Sequence, residues 1–199
     1  MNKDYLLIYG SIAHFSFAFT FLSLLNLKNK YRIFLTTGHF IISYCFLLRF
    51  IKDDKSSEKS NELDELDELD ENKSGIIPYI GIIGHLIICI FFISRTIIEN
   101  INYRITSTNI LINIMCILGQ IGMIIHYVAI KLNKENDDLN ISINFIATVI
   151  LCIFYLTIAL KQKKEDRILI PPLLMISLLY LGFFLRNILK LFGNGGCLI

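Results

Sequence analysis

The chain has 199 residues, of which 54% are hydrophobic and 18% charged, with a formal net charge of +2. Soluble domains run about 45–50% apolar and about 25% charged, so this composition excludes an ordinary soluble domain and points to the membrane class. So small a net charge gives no reason to expect a nucleic-acid partner; the expected partners are the lipid bilayer and, in a larger assembly, other membrane subunits.

A helix needs about 20 apolar residues to cross an ~30 Å hydrocarbon core. Six runs qualify in chain order: Tyr5–Asn26, Ile33–Ile51, Ile76–Ile98, Asn109–Ile130, Ile141–Leu160 and Ile168–Phe192. The fold class is therefore all-α: a polytopic transmembrane helical bundle of about six spanning helices. Residues 1–199 read as a single transmembrane domain with an acidic, disordered loop at 52–74. The first run is too long for a signal-peptide core and lacks a small-residue cleavage site, so it reads as a retained span. Pro78 begins the third run, and Pro171 and Pro172 fall in the first turn of the sixth, where missing N–H groups do little harm. The fourth run is the most polar, with Asn109, Asn113, Cys116, Gln120 and His126, and this helix is expected to be central. With no tryptophan in the chain, an aromatic belt falls to Tyr5, Tyr31, Tyr79, Tyr103 and Tyr127 near span ends.

Loops one, three and five are short and basic, carrying Lys28, Lys30 and Arg32, then Arg95 and Arg104, then Lys161, Lys163, Lys164 and Arg167. The positive-inside rule puts them in the cytosol and both termini outside. The second loop contains a Leu-Asp-Glu repeat over residues 62–71. Its period of three builds no helix face and its leucines bury no core, so it reads as a solvated acidic tether. The sequons at Asn72 and Asn140 abut spans and are expected to stay unglycosylated. Four of the five cysteines, Cys45, Cys89, Cys116 and Cys152, lie in apolar runs and behave as small hydrophobes. Arg49 and Arg186, near the outer ends of spans two and six, suggest snorkelling to headgroups or, alternatively, contact with an anion.

The residues with chemical potential are four histidines, one in each of the first four spans: His14, His39, His85 and His126. Ionisable side chains inside a membrane are costly and usually functional. Gly10, Gly81 and Gly122 each precede a histidine by four residues, which puts glycine and histidine on one helix face. Such a gap accommodates a flat cofactor or a closely packed helix. At 1.5 Å per residue, His14 and His85 lie at one depth, roughly 14 Å from the outer face. On the same arithmetic His39 and His126 are offset from each other by roughly 12 Å. The sharpest reading is bis-histidine ligation of a b-type haem in a small membrane electron carrier, with His14 and His85 as the opposed pair and His39 and His126 as further candidates. The bland reading is that the histidines hydrogen-bond across helices, and a metal or proton-relay site is a third. The alternative functions are a non-enzymatic solute or ion transporter, a channel, or a helical subunit of a larger membrane complex. A lipid-directed enzyme with His126 as base is a third idea. No hydrolase, zinc or nucleotide motif occurs in the chain.

Overall fold

In hydrocarbon every backbone N–H and C=O must be satisfied within the protein, and a run of about 20 apolar residues does so as a helix. The computed structural model describes residues 4–24, 32–58, 67–102, 106–134 and 136–193. Among them are six α-helices: α1 (Tyr5–Ser23), α2 (Arg32–Glu58), α3 (Asp67–Ile101), α4 (Ser107–Lys131), α5 (Asp138–Leu160) and α6 (Ile170–Gly193). All six are long and apolar enough to cross a membrane. The chain is thus a multi-pass membrane protein with an all-α bundle fold.

Helix ends follow local chemistry. The Asp4 carboxylate accepts from the Leu6 N–H at 3.1 Å and caps α1. Thr106 caps α4 by accepting from the Asn109 N–H at 3.3 Å. Asn133 ends the turn after α4 at φ 55°, a left-handed conformation that asparagine tolerates better than most residues. A 3₁₀ segment, Lys164–Leu169, leads into α6, whose Pro171 and Pro172 fall in the first turn as expected. Pro78 is different. It lies inside α3, because that helix begins at Asp67 rather than at the apolar boundary. The spanning part of α3 is Gly75–Ile98, so Pro78 still sits in its first turn. Helix likewise covers 52–58 and 67–74 at the two ends of the acidic loop, while 59–66 lie outside the described residues.

Each helix packs on its neighbours in the chain, and α6 returns to pack on α1. The helices therefore close a ring in chain order. The expectation that α4 is central is corrected by this arrangement: α4 is one of six ring members, and its polar side faces the interior. Gln120 and Cys116 are fully buried, as is nearly all of Asn113. On α1 the buried positions Leu7, Gly10, His14 and Phe17 recur at helical spacing, while Ile12, Phe15 and Phe19 face outward. The outward faces of all six helices are lined with exposed Ile, Leu and Phe, the surface a bilayer requires.

Without a hydrophobic drive between helices in lipid, close packing depends on small residues. Gly38 on α2 and Gly84 on α3 face each other. A Cβ at Gly38 would lie 3.1 Å from the Gly84 carbonyl oxygen, and one at Gly84 would lie 3.2 Å from that of Gly38. Gly119 and Gly122 similarly bring α4 onto Leu151 and Ala147 of α5.

Gly84→Val should destabilise the bundle by ~1–3 kcal/mol through overpacking, because its Cβ would also meet Ile42 at 2.7 Å. Gly75→Val is the control, since a Cβ there meets only Lys131 Nζ at 3.5 Å. The midpoint of heat-induced loss of the monodisperse chromatographic peak should fall for the first and not for the second.

Candidate functional site

The ring turns its polar side chains toward one another. His14, His39, His85, Gln120 and Tyr180 are fully buried, and Tyr155 is nearly so. Each comes from a different helix.

His14 Nδ1 and His39 Nδ1 lie 2.7 Å apart, and His39 Nε2 lies 3.4 Å from the Tyr155 hydroxyl. The His14 and His39 rings stack with centroids at 4.9 Å. Tyr155 stacks on Tyr180 at 5.8 Å, and Tyr180 meets His14 edge-on at 6.2 Å. Four rings from α1, α2, α5 and α6 thus close a circuit. An Nδ1 to Nδ1 contact needs one nitrogen with a proton and one without. With neutral rings, two arrangements satisfy the chain. In one, His14 donates to His39, whose Nε2–H donates to Tyr155. In the other, Tyr155 O–H donates to His39 Nε2, and His39 Nδ1–H donates to His14.

His85 uses its Nδ1 on Gln120 Oε1 at 2.5 Å. A carbonyl oxygen only accepts, so His85 Nδ1–H donates, and a neutral ring then leaves a lone pair at Nε2. His126 accepts at Nδ1 from the Asn140 side-chain amide at 3.2 Å. Asn140, the acceptor of the second sequon, is thereby buried against α4.

Both His14 and His85 face the bundle interior, and neither Nε2 has a hydrogen-bond partner among the described residues. Helix α1 packs on α2 and α6, while α3 packs on α2 and α4; the hydrogen bonds formed are those of His14 with His39 and of His85 with Gln120, and none joins the expected pair, His14 and His85, directly. His126 joins neither pair. The space that glycine leaves beside each histidine is filled by the chain itself: Phe46 and Leu179 stand against Gly10, Tyr127 against Gly81, and Ala147 against Gly122. With those spaces filled, the contacts beside the histidines lend the haem reading no support. Among the described residues no group of three or more His, Cys, Asp and Glu side chains is placed to hold a metal ion.

Tyr127 is also corrected. It belongs to no interfacial belt: it is 1% exposed, and its hydroxyl accepts from the Cys45 thiol at 3.6 Å. Tyr5 and Tyr79, by contrast, are well exposed near span ends, and Tyr31 and Tyr103 lie outside the described residues. Gln120, Tyr155 and Tyr180 belong to the polar layer and were not among the expected site residues. For the tyrosines the available signal was a hydroxyl deep inside an apolar run, far from either interface.

A cavity of 900 Å³ opens where α1, α3 and α5 finish and α2, α4 and α6 begin. Its deepest lining residues are His39 and Tyr155. Phe17, Phe91, Phe92 and Phe154 form apolar walls, and Asn109 and Asn113 add amides from α4. The Asn113 amide donates to Thr96 Oγ1 at 3.0 Å. At the rim, among the described residues, stand Arg32, Arg95, Lys161 and Lys163 with the acid Asp166. Arg32 is held over the Phe21 ring at 5.4 Å. These basic residues belong to the ends of the three short loops noted in the sequence.

No protein-family model, no curated protein and no solved structure matches the chain, so its site is read from its own geometry.

Gln120→Leu should cost ~1–3 kcal/mol, because it leaves the His85 Nδ1–H buried without an acceptor. His85→Leu combined with Gln120→Leu should cost less than the two single changes added together. Unfolding of the four proteins in mixed micelles measures both quantities, and strict additivity would show that the pair is not coupled.

Proposed function

We propose that this chain is a non-enzymatic membrane carrier that takes an amphiphilic organic anion into its 900 Å³ vestibule. The observation that carries the reading is the order of chemistry along that cavity: a basic rim, aromatic walls and a hydrogen-bonding floor. Ligand pockets of about 300–1,000 Å³ commonly combine apolar walls with a few placed polar groups. Among the described residues the mouth is lined by four basic side chains and the acid Asp166, a set that favours a negatively charged head. The phenylalanines suit an acyl or aromatic body. The His39 and Tyr155 floor meets whatever polar end reaches it, and either hydrogen-bond arrangement of the histidine chain can answer a donor or an acceptor there.

The haem-carrier reading has less support. Its favourable feature is the pair of unpartnered Nε2 atoms on His14 and His85; against it, the glycine-lined gaps beside the histidines are occupied by side chains. The visible spectrum of the purified protein tests it directly. A Soret band that shifts on reduction would restore the electron-carrier reading over the anion carrier.

A fluorescent long-chain carboxylate should bind the detergent-solubilised protein more tightly than the alcohol of the same chain length. Exposed charge contacts are worth ~0.2–1 kcal/mol each, so Arg32→Gln with Lys161→Gln should weaken carboxylate binding by about threefold to tenfold. The alcohol should be unaffected. Equal binding of both compounds by the wild type and the double variant would remove the reading.

A further inference from the structure

We propose a second site at the opposite end of the bundle, built for a protonated oxyanion of the phosphate class. It stands apart from the vestibule and does not depend on the carrier reading.

A cavity of 120 Å³ lies where α2, α4 and α6 end and α5 begins, lined by Arg49, His126, Ile141, Asn144, Arg186, Asn187 and Lys190. Its size suits a single tetrahedral anion and not an acyl chain. The sequence suggested snorkelling to headgroups or, alternatively, contact with an anion for Arg49 and Arg186; the fold brings both to one cavity. On α6, Arg186 and Asn187 lie one turn from Lys190, so all three share a face. Among the described residues the charges facing it are Arg49, Arg186 and Lys190, with the acid Asp4 ion-paired to Arg186. Arg49 also lies over the Tyr127 ring at 5.9 Å, and Lys190 Nζ donates to Asn136 Oδ1 at 3.2 Å.

The second observation concerns two buried amides that point to a ligand. Asn144 Nδ2 donates to Asn187 Oδ1 at 3.5 Å. That leaves Asn187 Nδ2 and Asn144 Oδ1 without a hydrogen-bond partner among the described residues, although Asn187 is only 2% exposed and Asn144 only 5%. Arg186 Nε is in the same condition. Buried donors and acceptors are rarely left unsatisfied, because each then loses its hydration with nothing in return. An oxyanion accepts from Asn187 Nδ2 and Arg186 Nε while its charge is balanced by the cationic side chains. The unmatched acceptor, Asn144 Oδ1, calls for a ligand with an O–H. Monohydrogen phosphate, or a phosphate monoester in its monoanionic form, has one; sulfate does not. A free phosphate and the headgroup of phosphatidic acid present the same chemistry, and at this end of the bundle either source can reach the cavity.

The test uses the full chain in a neutral maltoside detergent with radiolabelled inorganic phosphate in equilibrium dialysis, and in nanodiscs with or without phosphatidic acid analysed by native mass spectrometry. Saturable phosphate binding that falls about tenfold or more in Asn187→Leu and in Arg49→Gln, and that sulfate displaces poorly, supports a free-anion site. Retention of phosphatidic acid at one per chain, lost in the same variants, supports a lipid-headgroup site. Absence of both ligands from the wild type, binding unchanged in both variants, or displacement by sulfate as effective as by phosphate would overturn the proposal. Size-exclusion profiles check assembly; if Asn187→Leu does not assemble, Arg49→Gln decides, since it removes the charge and keeps much of the side chain.

Discussion

A histidine within the hydrocarbon layer has no water to bond, so the protein must provide its partner. The rest of this bundle is arranged around that requirement. His14 and His39 join α1 to α2, His39 reaches Tyr155 on α5, and His85 joins α3 to α4 through Gln120. These contacts lie between helices that leave their apolar faces to lipid. A buried polar layer thus lies within a largely apolar core. Polar contacts across helices in lipid are each worth only about 0.6–2 kcal/mol, yet they discriminate strongly among orientations. Rotating α1 about its axis would expose His14 to lipid and break the contacts to His39 and Tyr180 together.

The glycines make that polar layer reachable. At the Gly38 and Gly84 contact the backbones of α2 and α3 approach closely, and a Cβ on either glycine would meet Ile88 or Ile42 at 2.7 Å. At Gly81 the missing side chain is replaced by the Tyr127 ring, which also lies 5.5 Å from the His85 ring. A glycine one turn before a histidine therefore acts as a socket for a neighbouring aromatic or helix. The same glycine–histidine spacing would have suited a flat cofactor, and only the identity of the neighbouring element separates the two outcomes.

That separation explains what could be read from the chain. Run length and composition identify six spans because hydrocarbon thickness imposes a length on each helix. The inward orientation of His14 and His85 was also legible, since an ionisable group in lipid is expensive. Helix neighbours were not. Depth arithmetic placed His14 and His85 at one level, but His39 differs from His14 by only about three residues, roughly 4–5 Å, and ring closure between α1 and α6 decides which pair meets. Tyr127 shows the same limit. Its place near a span end suggested an interface, while the gap at Gly81 draws it inward. Arg49 and Arg186 are distant in sequence, and their convergence on one cavity is a property of the closed ring.

The two arrangements of the His14, His39 and Tyr155 chain link the vestibule to the buried layer. A ligand that accepts from Tyr155 O–H requires the tyrosine oxygen to accept from His39 Nε2–H. His39 Nδ1 is then bare and accepts from His14, so His14 Nε2 carries a lone pair. A ligand that donates to the Tyr155 oxygen reverses every bond, and His14 Nε2 then carries the proton. The hydrogen-bond polarity presented in the cavity is thereby copied to a nitrogen that lies fully buried, with no helix moved. His85, which donates to the Gln120 carbonyl, presents a lone pair at its own Nε2 in both cases, so of the two inward-facing imidazoles only His14 changes its hydrogen-bond polarity with the Tyr155 contact.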